Sequence, residues 1–189
     1  MKSRRYSIAL LGLALIGCAQ SDSNESAVAK NGIAIVNPGF EEAPHADGEI
    51  PGWEKAQHAG PLAYEMTVDT AVHSQGKASF RIARKREQFY GQIAQVVPIA
   101  AYAGRTIELS VQMKTDDVGP KGWQLMLTFT GGVPNPRRAA ESLTGTQDFR
   151  KITIRTQVPQ GAQGVEIAAI LLDRGTGWLD DVRLGVVEP

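Results

Sequence analysis

From Ile33 onward the chain is a succession of short runs in which apolar and polar residues alternate, each cut off by Gly, Pro, Asn or Ser. Side chains of a strand point to opposite faces in turn, so a period of two marks a half-buried strand. Tyr64 to Asp69 (YEMTVD) alternates in this way, and Ser79 to Ala83 follows the turn signal Ser74-Gln75-Gly76. Gln92 to Val97 stops at Pro98. Arg105 to Thr115 puts Ile107, Leu109, Val111 and Met113 on one face against Thr106, Glu108, Ser110, Gln112 and Lys114. Trp123 to Thr130 sets Trp123, Leu125, Leu127 and Phe129 against Gln124, Met126 and Thr128. Ile33 to Val36, Phe149 to Val158, Val165 to Leu172 and Trp178 to Val187 complete the set. No window of helical length carries a 3.6 period. Many short strands at regular spacing with Gly/Pro turns predict an all-β chain, an antiparallel jelly-roll β-sandwich. The longest interruption between strands is Gly131 to Gln147, whose Arg137-Arg138 pair has forks suited to an anion.

The first residues read differently. Lys2, Arg4 and Arg5 precede the apolar run Ile8 to Ile16, the charged and apolar regions of an export signal, too short to cross a bilayer as a mature helix. The run ends at Leu15-Ile16-Gly17-Cys18, which resembles the lipobox of bacterial lipoproteins. That resemblance implies cleavage before Cys18 and acylation of Cys18, and several acyl chains give stable membrane anchoring where one would be marginal. Ala19, where retained lipoproteins carry Asp, implies transfer to the outer membrane of the cell envelope. Residues 1–17 are then a signal peptide. Residues 18–32, small and polar without periodicity, are the lipidated Cys and a flexible tether, and residues 33–189 are one sandwich domain.

The precursor balances 20 basic against 20 acidic side chains. Loss of residues 1–17 removes three basic and no acidic ones, leaving 17 against 20 and a net charge of −3. Neither balance suits a nucleic-acid partner or a polybasic membrane patch. The single Cys excludes an internal disulfide and a cysteine-only metal or redox site.

Four islands stand in order along the domain: Asn37-Pro38-Gly39-Phe40-Glu41-Glu42, Ile50-Pro51-Gly52-Trp53, Gly76-Lys77-Ala78-Ser79-Phe80-Arg81-Ile82, and Gly177-Trp178-Leu179-Asp180-Asp181-Val182-Arg183-Leu184. Their order and spacing resemble galactose-binding-like β-sandwiches, in particular the carbohydrate-binding modules of families 4, 9 and 22, over nearly all of Ile33 to Val187. The resemblance implies a structural calcium held by Glu41 and Asp180, with backbone carbonyls near Gly39 and Gly76. Asp180 shares strand parity with Val182 and Leu184, so its carboxylate is expected on the apolar side, where it needs a hard cation or hydrogen-bonding partners. The alternative is a hydrogen-bonded turn just outside the core.

The resemblance also implies a carbohydrate ligand, which calls for an aromatic surface and planar polar side chains. Polar candidates on the faces opposite the core are Arg81, Gln92, Gln112 and Gln124, with Glu108, Lys114, Lys151 and Arg155 beside them; a solvated face is the competing reading for each. Aromatic residues make up only 6% of the chain, so each one counts. Trp53 follows a Pro-Gly turn and reads as a plug of the core, and Trp123 shares the parity of Leu125 and Leu127. Trp178 suits either purpose, which leaves Tyr90 and Phe89 as the exposed candidates. No G-x-S-x-G, H-E-x-x-H or P-loop motif is present, and His45, His58 and His73 share no strand or helix face. The sequence therefore reads as a non-enzymatic envelope lipoprotein that binds a carbohydrate or glycan-like ligand. The alternative is an accessory module that uses the same fold for protein contacts. The sequence carries no signal for an oligomeric state.

Overall fold

The computed structural model describes residues 32–134 and 136–187, so Cys18, the signal peptide and nearly all of the tether lie outside the described residues. Ten strands follow one another: β1 (Gly32–Ile33), β2 (Glu54–Gln57), β3 (Tyr64–Asp69), β4 (Ser79–Arg84), β5 (Gly91–Pro98), β6 (Thr106–Phe129), β7 (Arg137–Ala139), β8 (Leu143–Gln157), β9 (Gly164–Leu171) and β10 (Thr176–Val187). Among the described residues the helical content is a single 3₁₀ turn, Ala100–Tyr102. Every pairing is antiparallel, and the architecture is the jelly-roll β-sandwich expected from the alternation.

The two layers are joined through β6. Its first half, Thr106 to Asp116, pairs with β10 and β8, and β10 continues through β4 to β3. Its second half, Trp123 to Phe129, pairs with β9 and β7, and β9 continues through β5 to β2. The two expected strands over 105–115 and 123–130 are thus one strand bent at residues 117–122. The bend is built from residues that accept unusual backbone: Asp117 has φ 47° and Gly122 φ 86°. Gly119 approaches Asp173 so closely that an added Cβ would stand 2.4 Å from its carboxyl carbon. Asp173 in turn accepts the Lys121 amide at 3.1 Å and the Arg84 guanidinium at 3.2 Å, tying the bend to β4.

Between the layers lie Ile107, Leu109 and Met113 of β6, Phe80 and Ile82 of β4, Ile93 of β5, Ile167 of β9 and Leu179 of β10, all fully buried. Each such side chain contributes roughly 1.5–3 kcal/mol of transfer free energy. Trp123 and Trp53 belong to this core, as their positions predicted. Trp123 packs on Gly177 of the facing layer, where a Cβ would sit 2.8 Å from its ring, and its indole N–H reaches the Trp178 carbonyl at 3.2 Å. Trp53 donates to the Asn37 carbonyl at 3.0 Å and packs against Phe40, 5.1 Å between ring centroids.

Three sequence expectations change. The strand expected over Ile33 to Val36 ends after Ile33, because the Gln95 side chain takes a strand's place beside Val36, accepting its N–H at 2.8 Å and donating to its carbonyl at 2.9 Å. The expected interruption from Gly131 to Gln147 contains β7 and the start of β8, both paired with β6. The short strand β2 also forms, pairing as an edge with β5.

Candidate functional site: a groove on the β2–β5–β9–β6–β7 layer

A sheet half-covered by water should present polar residues outward. The outer face of the β2–β5–β9–β6–β7 layer does so only around an apolar middle. Its rows follow from the register. Gln92 pairs with Ile170, and Ile170 with Gln124; below them Glu54 pairs with Ala94, Ala94 with Ala168, Ala168 with Met126 and Met126 with Ala139. The next row is Val96, Glu166, Thr128 and Arg137. The middle of this face is a second apolar cluster separate from the core: Ala94, Ala168 and Ile170, with Tyr90, Met126 and Leu172 packed around them. Ala168 is 1%, Ala94 6% and Ile170 7% exposed although they point away from the core, because Tyr90, Met126 and Leu172 pack against them, so the covering side chains rather than the alanines meet the solvent.

An aromatic group stands beside this cluster, joined to it through Tyr90. The His58 ring stands 4.8 Å from that of Phe89 and edge-on to Tyr90 at 6.0 Å, and Phe89 is 69% exposed. The other end opens into a pocket of about 520 Å³ between Ala94, Val96 and Glu166 on one side and the segment from His45 to Glu54 on the other. The planar amides of Gln92 and Gln124 flank Ile170. Gln124 spends one amide proton on the Ala140 carbonyl at 3.0 Å, while the Gln92 side chain makes no hydrogen bond among the described residues. Exposed rings at one end, planar amides between and an open pocket at the other end are the parts that fit a sugar ring, apolar on its faces and hydroxylated at its rim.

The expected ligand residues therefore divide. Tyr90, Gln92 and Gln124 come together on the groove. Arg81 and Gln112 lie on the outer face of the opposite layer, where Arg81 stands in a row with Thr67, Trp178 and Lys114. That row is internally satisfied: Arg81 pairs with Glu65 at 2.7 Å, and Trp178 donates to Asp69 at 2.9 Å under the Lys114 ammonium, 6.0 Å from the ring. Burial raises the Asp69 pKa, but the Trp178 N–H and the amides of Ala71 and Val72 outweigh it and hold the carboxyl below its ordinary value. Sequence reasoning missed Ala94, Met126, Ala168, Ile170, Leu172, Glu54 and Glu166. The available signal was the unbroken run Ile167 to Leu172, apolar on both faces in a chain that otherwise alternates.

Glu41, Asp180, Gly39 and Gly76 do meet. Asp180 Oδ2 accepts the Ser74 N–H and hydroxyl, both at 2.7 Å, and the Gln75 N–H at 3.0 Å; Oδ1 accepts the Asp181 N–H at 2.7 Å. Glu41 accepts the amides of Lys77 at 2.9 Å and Ala78 at 3.3 Å. Gly76, with φ 59°, permits that approach, since a Cβ there would fall on the Glu41 carboxylate. Gly39 leaves a cradle between the two acids: an added Cβ would stand 3.8 Å from both Glu41 Oε1 and Asp180 Oδ1.

The parity argument for Asp180 needs correcting. Gly177 packs on Trp123 and Leu179 enters the core, so Asp180 belongs to the outer face. A bulge between Asp180 and Arg183, with Asp181 at φ 49°, then returns Val182 and Leu184 to the core. Asp180 is 1% exposed because the loop around Ser74 and Gln75 covers it. Two carboxylates facing one cradle are the hard oxygen donors calcium takes, with further oxygens required from backbone or water.

No protein-family model matches the sequence, and no curated protein does. Solved structures do match. The enzymatically active domain of tailspike protein 4 of bacteriophage CBA120 superposes with a TM-score of 0.65 at 17% identity, over 83% of this chain and 21% of that one. This chain thus spans about a fifth of the tailspike domain. A Stig cyclase, Fisc, from Fischerella sp. TAU gives a TM-score of 0.62 at 17% identity, over 84% of this chain and 98% of that one. The CBM22-1 xylan-binding domain from Paenibacillus barcinonensis Xyn10C gives 0.53 at 16% identity, over 84% and 97%. The fold is therefore that of the jelly-roll carbohydrate-binding modules, a fold that enzymes share.

Proposed function

We propose that this chain is a lipid-anchored protein of the bacterial cell envelope, attached through Cys18 to the outer membrane, whose sandwich binds a carbohydrate without turning it over. The observation that carries the reading is the make-up of this outward sheet face. The His58, Phe89 and Tyr90 rings stand at one end, the amides of Gln92 and Gln124 beside the half-buried Met126 and Leu172, and an open pocket beside Ala94, Val96 and Glu166, a surface that suits a sugar chain lying across it. A xylan-binding neighbour on the same fold supports the ligand class. In this reading Tyr90, Gln92 and Gln124 contact the ligand, and Arg81 and Gln112 do not.

Calcium belongs to the same proposal. Glu41 and Asp180 would hold the ion at the Gly39 cradle, where it would offset two neighbouring negative charges and brace the loop around Ser74 against β10. The cradle lies on the layer opposite the groove, so calcium would stabilise the domain without touching the ligand.

The test is titration of the detergent-solubilised full chain with oligosaccharides of xylan, galactan, glucan and chitin type, followed by recovery of the ligands. Saturable binding lost on Gln92→Ala/Gln124→Ala, with every oligosaccharide recovered intact, is the expected outcome. A shortened or rearranged ligand overturns the non-enzymatic part, and no binding to any chain overturns the carbohydrate reading.

A further inference from the structure

The charges along the groove narrow the class of glycan, an inference that rests on the carbohydrate reading above. Glu54 stands beside Ala94, and Glu166 beside Val96, on the same outward face. Both line the pocket that opens from the groove, together with Glu49, His45 and Trp53. Neither Glu54 nor Glu166 makes an ion pair or hydrogen bond among the described residues. The nearest cation on this edge, Lys55, is already used: its ammonium reaches the Gly48 carbonyl at 2.7 Å and Glu49 at 3.9 Å. Arg137 lies at the far edge, beyond Thr128 in the row of Glu166, roughly 10 Å across two strand spacings and four strands from Glu54.

The β2–β5–β9 half of the groove is therefore anionic and unneutralised. A metal ion is not what this arrangement fits, because Glu54 on β2 and Glu166 on β9 stand roughly 10 Å apart across two strand spacings and one row apart along them, too far to share one ion. Two separated carboxylates bordering a trough suit a charge carried on an extended organic ligand, and they oppose a uronate chain by like-charge repulsion.

The geometry points to a groove selective for amine-bearing glycans: chains of hexosamine whose amino groups are free and protonated, placed so that an ammonium meets Glu54 or Glu166 while the sugar lies in the pocket between Pro51, Gly52, Ala94 and Val96. Neutral chains bind through the pocket wall and the two amides alone. Uronic-acid chains bind worst.

Calorimetric titration of the full chain in detergent decides the matter, with chitosan oligomers, their fully N-acetylated counterparts, xylan and galactan oligomers, and oligogalacturonate as probes. Free-amine oligomers are expected to bind about tenfold tighter than N-acetylated ones at low salt, with the advantage shrinking as ionic strength rises. Glu54→Gln/Glu166→Gln should abolish the advantage and leave binding of the neutral oligomers within about twofold. Glu108→Gln, on the opposite layer, should leave it intact, which separates a site effect from general attraction between a polycation and an acidic protein. Neutral or uronate chains binding as well as amine-bearing ones, or an advantage that survives Glu54→Gln/Glu166→Gln, overturns the charge selectivity and leaves the carbohydrate reading standing. Failure of every probe to bind overturns both.

Discussion

Replacing Asp180 by alanine removes the acceptor for four donors at once: the amides of Ser74, Gln75 and Asp181 and the hydroxyl of Ser74. The hydroxyl can turn to water, but the three amides lose a charged partner. A hydrogen bond to a charged group contributes about 1.5–3 kcal/mol, and part of this returns because Gln75 is exposed and its amide can hydrate. The net cost is about 3–5 kcal/mol, comparable to removing one member of a buried charged pair. For a domain of this size each kcal/mol lowers Tm by roughly 2–4 °C, so Asp180→Ala should melt about 6–20 °C below the parent in thermal circular dichroism. Asp180→Asn keeps an oxygen for the three-donor side and opposes its amide only to the Asp181 N–H, so it should cost about half as much. Ser74→Ala, which removes one donor and leaves no amide unpaired, should cost about 1 kcal/mol. The order Ala, Asn, Ser74→Ala is the signature of a saturated acceptor. A Tm within about 3 °C of the parent for Asp180→Ala would refute the reasoning, since it would mean that the loop over Asp180 is not held by this carboxylate.

Millimolar calcium should raise Tm in the parent and not in Asp180→Ala, by ligand binding to the folded state alone; a parent Tm unmoved by both calcium and EDTA sinks the calcium proposal. Gly76→Ala should destabilise the domain by about 2–4 kcal/mol in urea unfolding, because a Cβ at φ 59° would fall on the Glu41 carboxylate that accepts Lys77 and Ala78. Asp69 holds its proton less tightly when folded than its ordinary value of 3.8, so the stability it contributes is complete above that value and is lost as pH falls below it. Acid titration of stability should therefore flatten in that window in Asp69→Asn, and an unchanged acid limb refutes the assignment. Cys18→Ser should move the chain from the membrane to the soluble fraction and abolish incorporation of labelled palmitate; a variant that stays membrane-bound refutes the lipid anchor.

The legibility of this fold in its sequence tracks which strands have one wet face. β3, the first half of β6, and β8 alternate cleanly because their outer faces meet water, and their positions follow from a period of two. The bend in β6 is hidden: Asp116 to Gly122 carries the residues of a turn, and only the partner strand β8, following it from Gln157 to Leu143, shows that pairing resumes across it. Three-residue β7 is too short to display a period. Asp180 is legible as an odd carboxylate but not in its direction, because one inserted residue at the bulge reverses the parity on which the direction depends. The groove is the least legible part for the reason that makes it a candidate site. A sheet face that keeps Ala94, Ala168 and Ile170 outward loses its alternation, and β9 then reads as one more strand buried on both sides.

The difference between the two outer faces decides where a ligand fits. On the β8–β6–β10–β4–β3 layer the large aromatic, Trp178, is 7% exposed, its N–H taken by Asp69 and its ring under Lys114, while Asp180 is covered by the loop around Ser74. The row around Trp178 gains little from a sugar, because its polar groups have partners and its ring is covered; Glu108, Gln112, Lys151 and Arg155 beside it make no side-chain hydrogen bond or ion pair among the described residues. On the other layer Phe89 is exposed, Gln92 makes no side-chain hydrogen bond and Glu54 and Glu166 meet no cation among the described residues, and a pocket opens beside Ala94, Val96 and Glu166. A protein of marginal stability keeps uncompensated groups only where losing them costs function, or where they cost little because water reaches them. For the two carboxylates water is a sufficient explanation; for Phe89 and Val96, 69% and 59% exposed, it is not, and a ligand that covers them supplies the missing term.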